Sequence, residues 1–173
     1  MSTEQVSRGY SYESYYNYKG DDYMNQRIII TNSVSKAFIY TEEQIEQNEF
    51  SKFVGRYDES TTMASLNAVI DVLENIDEDD RYPYTIYVPL CLKLMIELDQ
   101  PEKIRNNGYK TDKGAELTEE FVDLMCYANQ LRDYLREVKI GKVTLIPHND
   151  KSLDYEEIEL INKAWSMTNK INK

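Results

Sequence analysis

The sequence predicts an α/β domain in which a mixed five-stranded sheet, three antiparallel strands followed by two parallel ones, is flanked by helices. Short β-branched and aromatic runs at RIIIT (27–31), KAFIYT (36–41) and EFSKFVGRY (49–57) succeed one another with only polar segments between them, as antiparallel strands do. The stretch TTMASLNAVIDVLENI (61–76) carries Met63, Leu66, Val69, Ile70, Leu73 and Ile76 at helical intervals, so one face is buried. Beyond it, YTIYV (84–88) and KVTLIP (142–147) are strand-like and separated by helical sequence, which is how parallel strands joined by right-handed crossovers are encoded.

Residues 1–24 form a separate zone, with Tyr10, Tyr12, Tyr15, Tyr16, Tyr18 and Tyr23 set among Ser, Gly, Asn and Asp. Aliphatic side chains are nearly absent there, so the segment cannot bury itself and is expected to be a flexible arm ahead of a domain spanning 25–173. Tyrosines supply contact area at low entropic cost, which makes Tyr12, Tyr15, Tyr16 and Tyr18 candidate partner contacts. Strand two continues into EEQIEQN, expected as a solvated loop or an extension of that strand. Ser60 or Thr61 can cap the helix at 61–76, and the acidic DEDD ends it in solvent. LCLKLMIEL (90–98) reads as a short helix and QPEKIRNNGYKTDKG (100–114) as a polar connector. Thr118 caps a long helix whose inward positions are Phe121, Leu124, Met125, Ala128, Leu131, Leu135 and Val138. HNDKSLD is a loop, and YEEIELINKAWSMTNK (155–170) a last helix with Ile158, Ile161 and Trp165 inward.

The chain of 173 residues suits one domain, and its net charge of −11 argues against broad attraction to phosphate backbones, which draws on clustered Lys and Arg. Cys91 and Cys126 stand alone in apolar surroundings, as buried thiols of a reduced protein do. No apolar run is long enough to span a bilayer and the N-terminus lacks an apolar leader, so a cytoplasmic protein is expected. His148 is the sole histidine, which excludes a histidine-based zinc cluster, and the glycines are too dispersed for a phosphate loop.

The order of elements and several strings resemble type 1 ribonuclease H. IIITNS (28–33) lies on that family's Thr-Asp-Gly-Ser strand end, and FVGRYDESTTMASLNAVIDVL (53–73) on its strand-to-helix motif. YTIYVPL (84–90) lies on the fourth strand, NGYKT (107–111) on the Gly-Trp-Lys-Thr segment, and VTLIPHNDKSLDYEEIEL (143–160) on the last strand, loop and helix. Together these cover most of 27–170. The resemblance implies four carboxylates that bind two divalent cations and activate water for attack on an RNA phosphate. The corresponding positions here are Asn32, Ser65, Leu90 and Glu159, with Pro89 replacing Leu90 if the register shifts by one. The family's loop histidine falls on Asn149, beside His148.

An amide, a hydroxyl and an aliphatic side chain do not replace three carboxylates as ligands for a hard cation, so the resemblance implies the fold without hydrolysis and without a metal. Of the nearby acids, Asp58 and Glu59 precede the helix, Asp71 lies six residues beyond Ser65 and so about 120° away around the helix, and Asp150 and Asp154 are expected as solvated capping acids. The reading from sequence is a catalytically inactive ribonuclease H-like domain, of the kind a phage or virus uses as an accessory factor, acting through a protein partner. The alternatives are a weak binder of RNA–DNA hybrid or structured RNA, and a divergent nuclease using Mg²⁺ or Mn²⁺. For the hybrid reading, the candidate contacts are Ser60, Thr61, Thr62, Lys103, Arg105, Lys110 and Lys113.

Overall fold

The computed structural model describes residues 25–56, 58–96 and 100–171; the Tyr-rich segment and its candidate contacts Tyr12, Tyr15, Tyr16 and Tyr18 lie outside the described residues. Strand β1 (Gln26–Ser33) pairs antiparallel with β2 (Lys36–Thr41), which pairs antiparallel with β3 (Lys52–Val54). On its other side β1 pairs parallel with β4 (Tyr84–Val88), and β4 parallel with β5 (Val143–Pro147). The sheet order is therefore β3-β2-β1-β4-β5, the mixed α/β sheet that the sequence predicts.

Successive side chains of a strand leave on opposite faces, and β1 feeds two cores at once. Ile30 packs with α2 (Thr61–Glu74) and α5 (Glu119–Val138), and Ile29 packs with α6 (Tyr155–Ile171) on the other face. Helix α2 starts where Ser60 Oγ accepts the Met63 amide at 3.0 Å, and it buries Ala64, Leu66, Val69, Ile70 and Leu73. Thr118 caps α5 in the same way through the Phe121 amide, 3.2 Å away. A reciprocal pair starts α6: Asp154 Oδ1 accepts the Glu157 amide and Glu157 Oε1 accepts the Asp154 amide. Gly55 joins β3 to α2 at φ +117, and a Cβ there would stand 2.8 Å from the Ala64 Cβ, so this close approach needs glycine.

The structure corrects several expectations. EEQIE is not a loop but helix α1 (Glu42–Glu46), begun by reciprocal hydrogen bonds between Thr41 and Gln44 and held by buried Ile45. The polar connector contains helix α4 (Gln100–Asn106), which buries Pro101 and Ile104. The helix expected at 90–98 is a 3-10 turn, Leu90–Leu92, followed by α3 (Lys93–Ile96). Strand β3 has only the central residues of the expected 49–57. Val138 and Ile158 are exposed rather than inward, and Trp165 is half-buried. Cys91 is exposed because the tight turn after Pro89 directs only Leu92 into the core; Cys126 is buried as expected, and neither is bridged.

One buried cation fixes the far end of the molecule. Lys139, at the end of α5, is 5% exposed and donates to Asp77 O (2.9 Å), Asp80 O (2.9 Å) and Asp80 Oδ1 (2.7 Å). Its Nζ also lies 5.2 Å from the centre of the Tyr84 ring, whose hydroxyl donates to the other oxygen of Asp80. All three ammonium protons are thereby used. Replacing this group, Lys139→Met, takes the cation from the Asp80 carboxylate and the donor from the Asp77 and Asp80 carbonyls, and urea denaturation is expected to register a loss of about 2–4 kcal/mol.

Candidate functional site

The site that the sequence points to lies at the carboxyl end of β1. Position 32 faces α2, on the same side as Ile30, and Asn32 Nδ2 donates to Ser65 Oγ at 3.0 Å. Ser65 is fully buried and passes its own proton to the Thr61 carbonyl, 2.8 Å away, one turn earlier in the helix. The Asn32 amide also approaches Cys91 Sγ at 3.6 Å. The structure thus brings together Asn32, Ser65 and the residue beside Leu90. Leu90 itself is exposed, as is Glu159 on the outer side of α6, with no hydrogen bond joining Glu159 to the others among the described residues.

This donor set does not fit a divalent cation. The Asn32 amide turns its protons inward, the Ser65 hydroxyl is committed on both sides, and Leu90 offers no oxygen. Nor do the neighbouring acids rebuild a site. Asp71 pairs with Lys52 at 2.6 Å, Glu59 is held by Arg56 and Asn67, Asp154 caps α6, and Asp150 binds Ser152, which holds its carboxyl below the ordinary range.

On the opposite face of β1, Thr31 and Tyr40 share the Thr168 hydroxyl, at 2.5 Å and 3.0 Å, and Thr168 in turn donates to Ala164 O. The Tyr87 hydroxyl donates to Glu157, and Arg27 pairs with Glu42 and Glu156. Burial, then the Glu157 carboxylate, push the Tyr87 hydroxyl pKa upward, so it remains a donor. His148 belongs to this face. Its Nδ1 accepts the Trp165 indole proton at 3.0 Å, and its Nε2 is enclosed with no hydrogen-bond partner. Burial pulls its pKa down to about 4, against the opposing influence of the Tyr87 and Ile30 carbonyls. His148 is therefore a neutral packing group.

Cys91, which the Asn32 amide approaches, also lines a cleft of about 700 Å³ between the first turns of α2 and α5. Met63, Leu117, Phe121 and Cys91 give it an apolar wall, and Asp58, Glu59, Glu116 and Glu120 an acidic rim against Arg56 alone. Of the candidate hybrid contacts, Ser60 and Thr62 line this cleft, while Ser60 Oγ and Thr61 Oγ1 are already engaged with the Met63 and Ser35 amides. Lys103 is exposed on α4, Arg105 pairs with Asp123 at 3.1 Å, and Lys110 and Lys113 stand exposed on the turn closed by the Lys110–Glu116 bridge. The cations are spread around acids rather than gathered.

No protein-family model and no curated protein matches this sequence. No helix among the described residues is long and apolar enough to cross a membrane. Sequence reasoning missed Cys91 as the third member of the Asn32 contact, although its place beside Leu90 was the available signal. It also missed the partnership of His148 with Trp165, which only the packing of α6 creates.

The His148 arrangement makes stability depend on pH with a definite sign. The unfolded chain protonates this side chain below about 6.5 whereas the folded chain resists protonation down to about 4. The unfolded state therefore binds more protons between these values, and stability falls as pH drops through that window. Urea titrations at pH 7 and pH 4.5 are expected to differ by about 2–3 kcal/mol more in the native protein than in His148→Gln, whose amide oxygen still accepts from Trp165.

Proposed function

We propose that this chain is a ribonuclease H-like domain that has lost hydrolysis and works by binding a protein partner. The Asn32–Ser65 hydrogen bond carries the reading: where the resemblance calls for two metal-binding carboxylates, two neutral groups satisfy each other at 3.0 Å. The strand order and the position of α2 against β1 support the kinship, and the net charge of −11 with an acid-rimmed cleft favours a protein partner over a polyanion. An accessory role in the cytoplasm, of the kind a phage or virus would use, accords with this. The competing reading as a binder of RNA–DNA hybrid draws on Lys103, Lys110 and Lys113.

Incubation of an RNA–DNA hybrid with the full chain and Mg²⁺ or Mn²⁺ is expected to give no cleavage above an EDTA control. Metal-dependent cutting abolished by Glu159→Ala would sink the inactive reading. A mobility-shift titration at low salt is expected to show only weak retention of hybrid; steeply salt-dependent binding would favour the hybrid binder instead.

A further inference from the structure

The C-terminal half of α5 presents a surface that neither core uses. Tyr127, Tyr134 and Val138 are exposed, and their spacing sets them within about 40° of one another around the helix. Ile140, just past the helix end, is 84% exposed. The tyrosines are held in place: Tyr127 donates to Glu74 at 2.7 Å and Tyr134 to Glu78 at 2.6 Å. With Lys139 bound to Asp77 and Asp80, three side chains fasten α5 to the segment 74–80, so the stripe is preorganised.

Ile140 is the telling residue. It sits at φ +55, a conformation that β-branched side chains avoid, at a helix end where glycine or asparagine is the stable choice. Its side chain gains no burial in return. A costly backbone conformation that displays an apolar side chain to solvent points to use elsewhere. The border of the stripe is acidic: Glu74, Glu78, Asp79 and Glu137 are exposed, Asp133 pairs with Arg132, Arg136 turns to the Val143 carbonyl and Lys139 is buried. Arg81 and Lys142 are exposed cations beside this rim, outnumbered by its acids. A second copy of the chain, a nucleic acid or an anionic membrane would meet like charge here.

We propose that this stripe docks a basic amphipathic helix of a partner protein, whose apolar residues pack on Tyr134, Val138 and Ile140 while its Lys or Arg side chains pair with Glu74, Glu78 and Glu137. The Glu74 and Glu78 carboxylates each retain an oxygen beyond the one engaged by tyrosine. The face is remote from the Asn32 contact, so a hybrid-cleavage result bears on that site and leaves this one standing.

The test uses the full chain and a fluorescein-labelled amphipathic leucine–lysine peptide, read by fluorescence anisotropy. The peptide is expected to bind, and its leucine–glutamate counterpart and an RNA duplex are not. Ile140→Asn is expected to raise Tm by about 2–6 °C yet weaken the peptide about tenfold, a combination that no purely structural role produces. Ile140→Gly should act alike. Glu74→Gln with Glu78→Gln is expected to weaken binding about tenfold, whereas the remote charge-matched pair Glu43→Gln with Glu49→Gln leaves it unchanged. The proposal is overturned by absence of peptide binding, by equal binding of the leucine–glutamate peptide or the RNA, by stabilisation in Ile140→Asn with unaltered affinity, or by equal losses in the two glutamine pairs.

Discussion

The structure depends on β1 being covered on both faces. A strand so placed cannot leave a polar side chain without an internal partner, because desolvating one costs about 1–3 kcal/mol while a satisfied hydrogen bond contributes about 1 kcal/mol net. Asn32 and Thr31 follow one another along β1, so the two helices that cover the strand must each answer with a hydroxyl. Ser65 on α2 answers Asn32, and Thr168 on α6 answers Thr31 and also takes Tyr40. These contacts fix where α2 and α6 sit along the strand in a way that the interchangeable aliphatic contacts of Ile28, Ile29 and Ile30 do not.

The same constraint bears on chemistry. Carboxylates at 32 and 65 would stand within hydrogen-bond distance of each other, and in the absence of a cation their like charges would oppose folding or force one to take up a proton. Asn32 and Ser65 remove that opposition and add a contact in its place. The Asn32–Ser65 geometry is self-sufficient: it holds α2 to β1 with no counter-ion.

Strong periodicity made the framework legible. Helix α2 could be read because Leu66, Val69, Ile70 and Leu73 repeat with the helical period in a run without glycine or proline, and the aliphatic runs of β1 and β4 could be read because strands covered on both faces are apolar throughout. Helices α1 and α4 escaped because each is short and mostly polar, stabilised by a single buried side chain, Ile45, or by a pair, Pro101 and Ile104. The candidate site was legible at Asn32 and Ser65, whose positions follow from strand end and helix start. It was not legible at Cys91, because a 3-10 turn rotates side chains differently from an α-helix and reversed the burial that its apolar neighbours suggested. Val138 and Ile158 were misread for a related reason: helical spacing assigns a face, but only the extent of the neighbouring element decides whether that face is covered.

The end of α5 sets two opposite uses of sequence side by side. Lys139 is a cation withdrawn from water whose every proton finds an oxygen, and it holds the acidic segment 77–80 against the sheet. Ile140, the next residue, does the reverse, holding an apolar side chain in water on a disfavoured backbone. Were stability the sole constraint, the second would be as well satisfied as the first, since a single change to Gly or Asn relieves it. The rigidity that Lys139 supplies is what allows a displayed residue to be presented at a fixed place: a frayed helix end would let Ile140 turn inward and the stripe from Tyr127 to Val138 disperse. The buried knot is in this sense the support of the exposed face.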